Sequence, residues 1–136
     1  MSLHPAALSE SAKQVFDLLC RAPLWRDFYL AGGTGLALQI GNRMSADFDF
    51  FSSVNSLDAS RREALRRVLS GLGHVEVDAD EEGSLRGTLG GVPVSSFRYD
   101  YPLLERLVEH APVKLASPLD IDKRSLYKLT HGGMRW

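Results

Sequence analysis

The chain holds one cysteine, Cys20, so no internal disulfide can form and a reducing cytoplasm is the expected setting. The four histidines, His4, His74, His110 and His131, include no i,i+4 pair and have no cysteine cluster nearby, which argues against a structural zinc site. No apolar run reaches the roughly 20 residues needed to cross a bilayer. The amino end, Met1-Ser2-Leu3-His4-Pro5, lacks the basic run and apolar core of a secretory signal, so neither export nor membrane insertion is expected. The net charge is −1, and the field of the whole chain therefore does not call for a nucleic acid. Several catalytic signatures are missing too. No Gly-x-Ser-x-Gly elbow occurs, Leu38 stands where a dinucleotide fingerprint on Gly33 and Gly35 would need glycine, and no Gly-Lys-Ser/Thr comes after the glycines.

What is present suits one globular domain over 1–136, with 44% hydrophobic and 24% charged residues and no repeat, linker or low-complexity segment. Its most informative stretch runs from Ala31-Gly32-Gly33-Thr34-Gly35 to Asp47-Phe48-Asp49-Phe50-Phe51. Phe28 to Ala31 reads as a short buried strand, and Thr34 to Ile40 has apolar residues at helical spacing. The glycines sit at the junction. Backbone N–H groups at such a helix start can close on an anion, although a Gly-Gly there also serves as a plain tight turn. In the second half, side chains alternate across a strand, so Asp47 and Asp49 point one way and Phe48 and Phe50 the other. Acids two apart are often just a solvated face; this apolar surround makes idle carboxylates costly and favours a function. With Cα atoms about 6.5 to 7 Å apart, the two can converge on a divalent cation. A phosphate nest beside a metal-binding acid pair points to phosphoryl or nucleotidyl transfer.

These residues also carry a family resemblance. Tyr29-Leu30-Ala31-Gly32-Gly33-Thr34, Leu36-Ala37-Leu38 and Gly41-Asn42-Arg43-Met44-Ser45-Ala46-Asp47-Phe48-Asp49-Phe50-Phe51 together resemble the AbiEii/AbiGii abortive-infection toxins of the nucleotidyltransferase superfamily. The likeness is specific over about residues 25 to 55 and continues more weakly to Ser117-Pro118-Leu119-Asp120-Ile121. It implies that Gly32, Gly33 and Thr34 hold nucleotide phosphates, that Asp47 and Asp49 carry Mg²⁺, and that Arg43 and Ser45 assist. Arg43 reads equally as an exposed loop cation. The resemblance further implies a nucleoside triphosphate substrate, an RNA (tRNA among them) or protein hydroxyl as acceptor, and a cognate antitoxin encoded alongside.

Two departures accompany the likeness. The superfamily places a third carboxylate on a neighbouring strand, yet Gly91 to Tyr99 contains no acid before Asp100, which reads as a turn residue; Asp78 and Asp80 are weaker candidates. Near the carboxyl end, Ser125 occupies the family's lysine position, with Lys123 and Lys128 on other sides of a helix, and the chain stops at Trp136. On these grounds it is expected to be a shortened or degenerate member without the helical C-terminal part. Two functions are compatible with this: a Mg²⁺-dependent nucleotidyltransferase of toxin–antitoxin type, or a non-catalytic remnant that binds nucleotide or protein.

The remaining chain supplies the frame. Ser9 is placed to cap a helix running to about Arg21 with Val15, Phe16, Leu18 and Leu19 as its apolar stripe. Leu57 to Leu72 reads as a helix whose Arg61, Arg62, Arg66 and Arg67 form either a solvated face or an RNA contact. Asp78, Asp80, Glu81 and Glu82 read as an acidic turn after a strand from His74 with Val75 and Val77 inward. Ser84 to Leu89 and Val92 to Tyr99 form a hairpin about Gly90-Gly91. Leu103 to about Glu109 reads as a helix, Pro112 to Ala116 as a strand and Leu119 to Leu129 as a last helix. The expected fold is therefore α/β or α+β and nucleotidyltransferase-like, a mixed, partly antiparallel sheet with helices packed against it.

Overall fold

A computed structural model describes residues 3, 8–31, 38–39, 47–100, 106–110 and 112–116. Its elements in chain order are α1 (Glu10–Leu19), β1 (Tyr29–Ala31), β2 (Phe48–Ser52), α2 (Ala59–Ser70), β3 (Val75–Glu81), β4 (Ser84–Leu89), β5 (Val92–Arg98), β6 (Val108–His110) and β7 (Val113–Leu115). All strands join one mixed sheet in the order β3-β4-β5-β2-β1-β7-β6. β2 pairs antiparallel with β1 and parallel with β5, and β1 pairs parallel with β7. The expected α+β fold with a mixed sheet is what forms. No helix among the described residues is long and apolar enough to cross a membrane.

Local chemistry sets the element ends. Ser9 Oγ accepts the Ala12 N–H at 3.2 Å and starts α1, which buries Ala12, Val15, Phe16 and Leu19. Asp58 Oδ1 accepts the Arg61 N–H at 3.0 Å and starts α2, which buries Leu65 and Leu69. Gly90 and Gly91 have φ of 57° and 81°, the paired left-handed conformation of a tight two-residue hairpin turn that β-carbon-bearing residues resist.

The sheet is buried on both sides around β2. Phe48 stacks on Phe16 of α1 at 6.1 Å, and Trp25 meets Phe50 edge-on at 5.3 Å. Trp25 also donates its indole N–H to the Leu19 carbonyl at 2.9 Å, closing the end of α1. On the opposite face Phe51 packs with Tyr29, Phe97 and Tyr99, with Ala31 and Ala116 in the same cluster. Leu38 and Gln39 are helical and buried, and Gln39 Nε2 donates to the Ala116 carbonyl at 2.8 Å.

Three expectations change. Val108–His110 is a strand antiparallel to β7, not the end of a helix; the earlier part of that helix, at 101–105, and the one at Leu119 to Leu129 lie outside the described residues. The acidic stretch is strand through Glu81, with the turn at Glu82-Gly83, because a sheet edge lets charged side chains reach water while their backbone pairs. Val77 is 39% exposed, since β3 is the outermost strand and Gly87 opposite it brings no side chain to cover it.

A bulge at Asp78 shifts the β3–β4 register between Val77 and Ala79, so that Asp80 sits opposite Leu85 on the helix-covered face. There Arg62, its side chain only 13% exposed, pairs with Asp80 and also reaches Glu82 at 3.4 Å and the Leu57 carbonyl at 2.9 Å. The same carbonyl accepts the Gly83 N–H at 3.1 Å, which ties the loop before α2 to the β3–β4 turn and holds Leu57 at a φ of 49°.

These contacts generate two stability predictions. A β-carbon on Gly87 would collide with the Glu76 carbonyl oxygen, so Gly87→Ala should lower stability by about 1–3 kcal/mol in urea unfolding, through overpacking of the added methyl against the backbone of β3. The second concerns acid. The Arg61 N–H chiefly, helped by the Ser60 hydroxyl and the Arg61 charge, holds the Asp58 carboxyl below its usual range despite some desolvation. A lowered folded value means the stabilisation is present above the unfolded carboxylate pKa and disappears as pH falls through the folded one. Asp58→Asn, which keeps the cap acceptor, should therefore flatten the acid limb of a plot of Tm against pH.

Candidate functional site

The site is built on β2. Its period-two alternation puts Phe48 and Phe50 into the cluster under α1 and α2, and Asp49 with Phe51 onto the other face. Asp49 is 5% exposed, while Asp47, immediately before the strand, is exposed. Asp49 pairs in register with Ala31 of β1 and Ser95 of β5. Ala31 is directly followed in the chain by Gly32-Gly33. The strand register therefore brings the acid pair to the end of β1 from which the glycine stretch departs. Gly32, Gly33, Thr34, Arg43, Ser45 and Ser125 lie outside the described residues.

The acid donors suit a hard cation. Two carboxylates two residues apart, one exposed and one shielded, are an oxygen set of the kind Mg²⁺ takes with one or two carboxylates, substrate phosphates and water. Among the described residues no group of three or more His, Cys, Asp or Glu converges as a metal site. The missing third acid has a specific explanation in the register, since the residue beside Asp49 on β5 is Ser95. Asp100 is five residues further along, about 16 Å at the usual strand rise. There its side chain is 71% exposed and pairs with Arg98 at 3.6 Å, in keeping with a turn residue. Asp78 and Asp80 sit on β3, three strands from β2 and about 14 Å away.

Arg86 also lies on the sheet face of Asp49. In β4, Leu85 and Leu89 face the helix side, so Arg86 faces the other. It is opposite Ser95, which is in turn opposite Asp49. The alternation of Ser84 to Leu89 is visible in the sequence; that β4 lies two strands from the acids is not.

The arginines of α2 are committed within the protein. Arg61 pairs with Asp58 at 2.7 Å, Arg66 and Arg67 with Glu63 at 2.6 and 3.4 Å, and Arg62 with Asp80 and Glu82. The Arg66 hydrogen bond above all holds the Glu63 carboxyl below its usual range. A face neutralised in this way has little charge to offer an RNA backbone. Burial, with a smaller push from Asp17, raises the Cys20 thiol, which fits a packing residue and disfavours a nucleophile.

A central strand of a mixed sheet that carries one buried acid and follows another directly, next to a strand that leads into glycines, is the layout of a nucleotidyltransferase fold. Residues 15–122 match the family described as "Nucleotidyl transferase AbiEii toxin, Type IV TA system", and the chain belongs to that family. A relative from Aquifex aeolicus (strain VF5), "Uncharacterized protein aq_aa25", is 34% identical over 98 residues, which are 72% of this chain and 47% of that protein. A crystal structure of a candidate nucleotidyltransferase from H. pylori superposes with a TM-score of 0.51 at 18% identity, covering 94% of this chain and 62% of that one, a likeness of fold. The chain thus spans about half the length of the curated relative.

Proposed function

We propose that this domain binds a nucleoside triphosphate with Mg²⁺ at Asp47 and Asp49 and transfers its nucleotide to an RNA or protein hydroxyl, as a growth-halting toxin paired with an antitoxin. The observation that carries this reading is the placement of Asp49. It is a shielded carboxylate at mid-sheet, two residues after the exposed Asp47 and in register with the last residue before Gly32-Gly33. Shielding from water strengthens the pull of such a carboxylate on a cation.

In the proposed reaction the acceptor oxygen bonds to the α-phosphorus, the bond to the departing pyrophosphate breaks, and the acceptor's proton passes to water. Bound Mg²⁺ would neutralise phosphate charge and orient the leaving group. The chain's own part is orientation. Asp49 is fixed by strand pairing on both sides and Asp47 meets solvent at the entrance, while Gly32, Gly33 and Thr34 would receive phosphates, with Arg43 and Ser45 assisting.

One observation favours a second reading, a nucleotide-binding or protein-interaction domain without turnover. Ser95 stands beside Asp49, where a third carboxylate would otherwise share the metals or take the acceptor's proton. The two readings separate on pyrophosphate release, which the enzyme produces and the binding domain does not.

Calorimetric titration of the four ribonucleoside triphosphates, with and without Mg²⁺, tests both. At least one should bind only with Mg²⁺, and Asp47→Asn with Asp49→Asn should weaken that binding by more than about tenfold, about 1.4 kcal/mol, with an unchanged circular dichroism spectrum. Equal binding by parent and double variant would place the metal elsewhere.

A further inference from the structure

We propose that Lys114 of β7 selects the triphosphate: its ammonium takes the terminal phosphates of a nucleotide whose α-phosphate lies with the metal at Asp47 and Asp49. This deepens the nucleotide reading above and rests on it.

The strand order supplies the path. β2, β1 and β7 are successive neighbours in the sheet. β2 brings the acid pair, β1 leads into Gly32-Gly33, and β7 runs parallel to β1 on its far side. A phosphate chain that starts at the acids and crosses the glycine stretch therefore arrives at β7. Val113 and Leu115 belong to the cluster under α1 and α2, so Lys114 between them faces the other way, as do Ala31 and Ala116 and, in register with Ala31, Asp49. Leu30 pairs with Leu115, which puts Lys114 beside Tyr29, two residues before the end of β1. Its α-carbon is about 8 Å from that of Ala31, one strand spacing across and two residues along. A four-carbon stem leaning along the strand can bring the ammonium to the place where the glycine stretch departs.

The state of this side chain suits the task. Glu109 of β6 stands directly across from Lys114, yet no hydrogen bond or ion pair joins Lys114 to a described residue. The side chain is half-buried with its ammonium still open to solvent, so the apolar stem is the covered part. Such a stem has less freedom to lose when the ammonium meets an anion.

Charge accounting leads to the same residue. Two carboxylates and a triphosphate concentrate more negative charge than one divalent cation offsets, so the terminal phosphates need a further positive group. The α2 arginines are paired within the protein, and Arg98 belongs to the opposite parity on β5. Arg86 shares the face of Asp49 but lies beyond β5, on the side of β2 away from the glycines. Among the lysines and arginines of the described strands, Lys114 is the one on that face and on the glycine side.

The test is affinity for the mono- and triphosphates of the four ribonucleosides with Mg²⁺, measured on the full chain, on Lys114→Met, on Lys114→Gln and on Lys114→Arg, each checked by thermal melting. Lys114→Met keeps an apolar stem and loses the charge. It should weaken triphosphate binding about tenfold, leave monophosphate binding unchanged and melt no lower than the parent. Lys114→Arg should retain triphosphate binding within about threefold, since the charge is what is used. Should Lys114→Met fail to fold, the triphosphate-to-monophosphate affinity ratio of Lys114→Gln decides, and a ratio equal to the parent's overturns the assignment. Equal losses for mono- and triphosphate, no loss, or a loss in Lys114→Arg as large as in Lys114→Met also overturn it while the nucleotide reading survives. If the parent binds no nucleotide, both readings fall together.

Discussion

The alternation of side chains along β2 is the constraint on which the rest depends. This strand lies inside the sheet and is buried on both faces, so each residue must suit the layer its parity assigns. Phe48 and Phe50 fill the helix side, and Asp49 and Phe51 belong to the other. A slip of one residue would drive Asp49 under α1 and α2 and turn two phenyl rings away from their stacking partners. Desolvating a carboxylate there without a partner costs several kcal/mol, as does losing the aromatic packing. The register is therefore strongly specified, and the position of the acid pair results from it with no further device.

The meander β3-β4-β5 is attached to that frame by a different kind of interaction. Its outer strand is too acidic and too exposed to be held by burial. The bulge at Asp78 instead reverses the parity of the rest of β3 and delivers Asp80 to Arg62. Arg62 and the Leu57 carbonyl then form a polar junction with Glu82 and Gly83. The left-handed Leu57, fully buried, sits at this junction; its strain is offset where hydrogen bonds and burial act on one residue. Because β4 pairs along its length with β5, and β5 with β2, the junction holds the meander to the strand that carries Asp49.

Legibility in the sequence divides along the range of the interactions involved. The Ser9 cap, the Gly90-Gly91 turn and the parity of Asp47 to Phe51 are decided within a few residues, and each is readable from its letters. Val108–His110 reads as helix in the sequence because its strand character comes from pairing with β7, and a helical spacing of apolar residues outweighs it over so short a stretch. The acid run after Val77 suggests a turn by composition, yet an edge strand tolerates charge on both sides. Ser95 shows in the sequence only as the lack of an acid. Its significance needs the parallel pairing of β2 and β5, which brings residues 46 apart in sequence into one row.

That row also bears on how binding and chemistry would divide in the proposed reaction. With serine beside Asp49, nothing on β5 is basic enough to take a proton from an acceptor hydroxyl at neutral pH. In the proposed reaction the acceptor's proton would then pass to water or to a group outside β5, and the part that the described strands can play is to hold Asp49 in place beside the glycine end of β1.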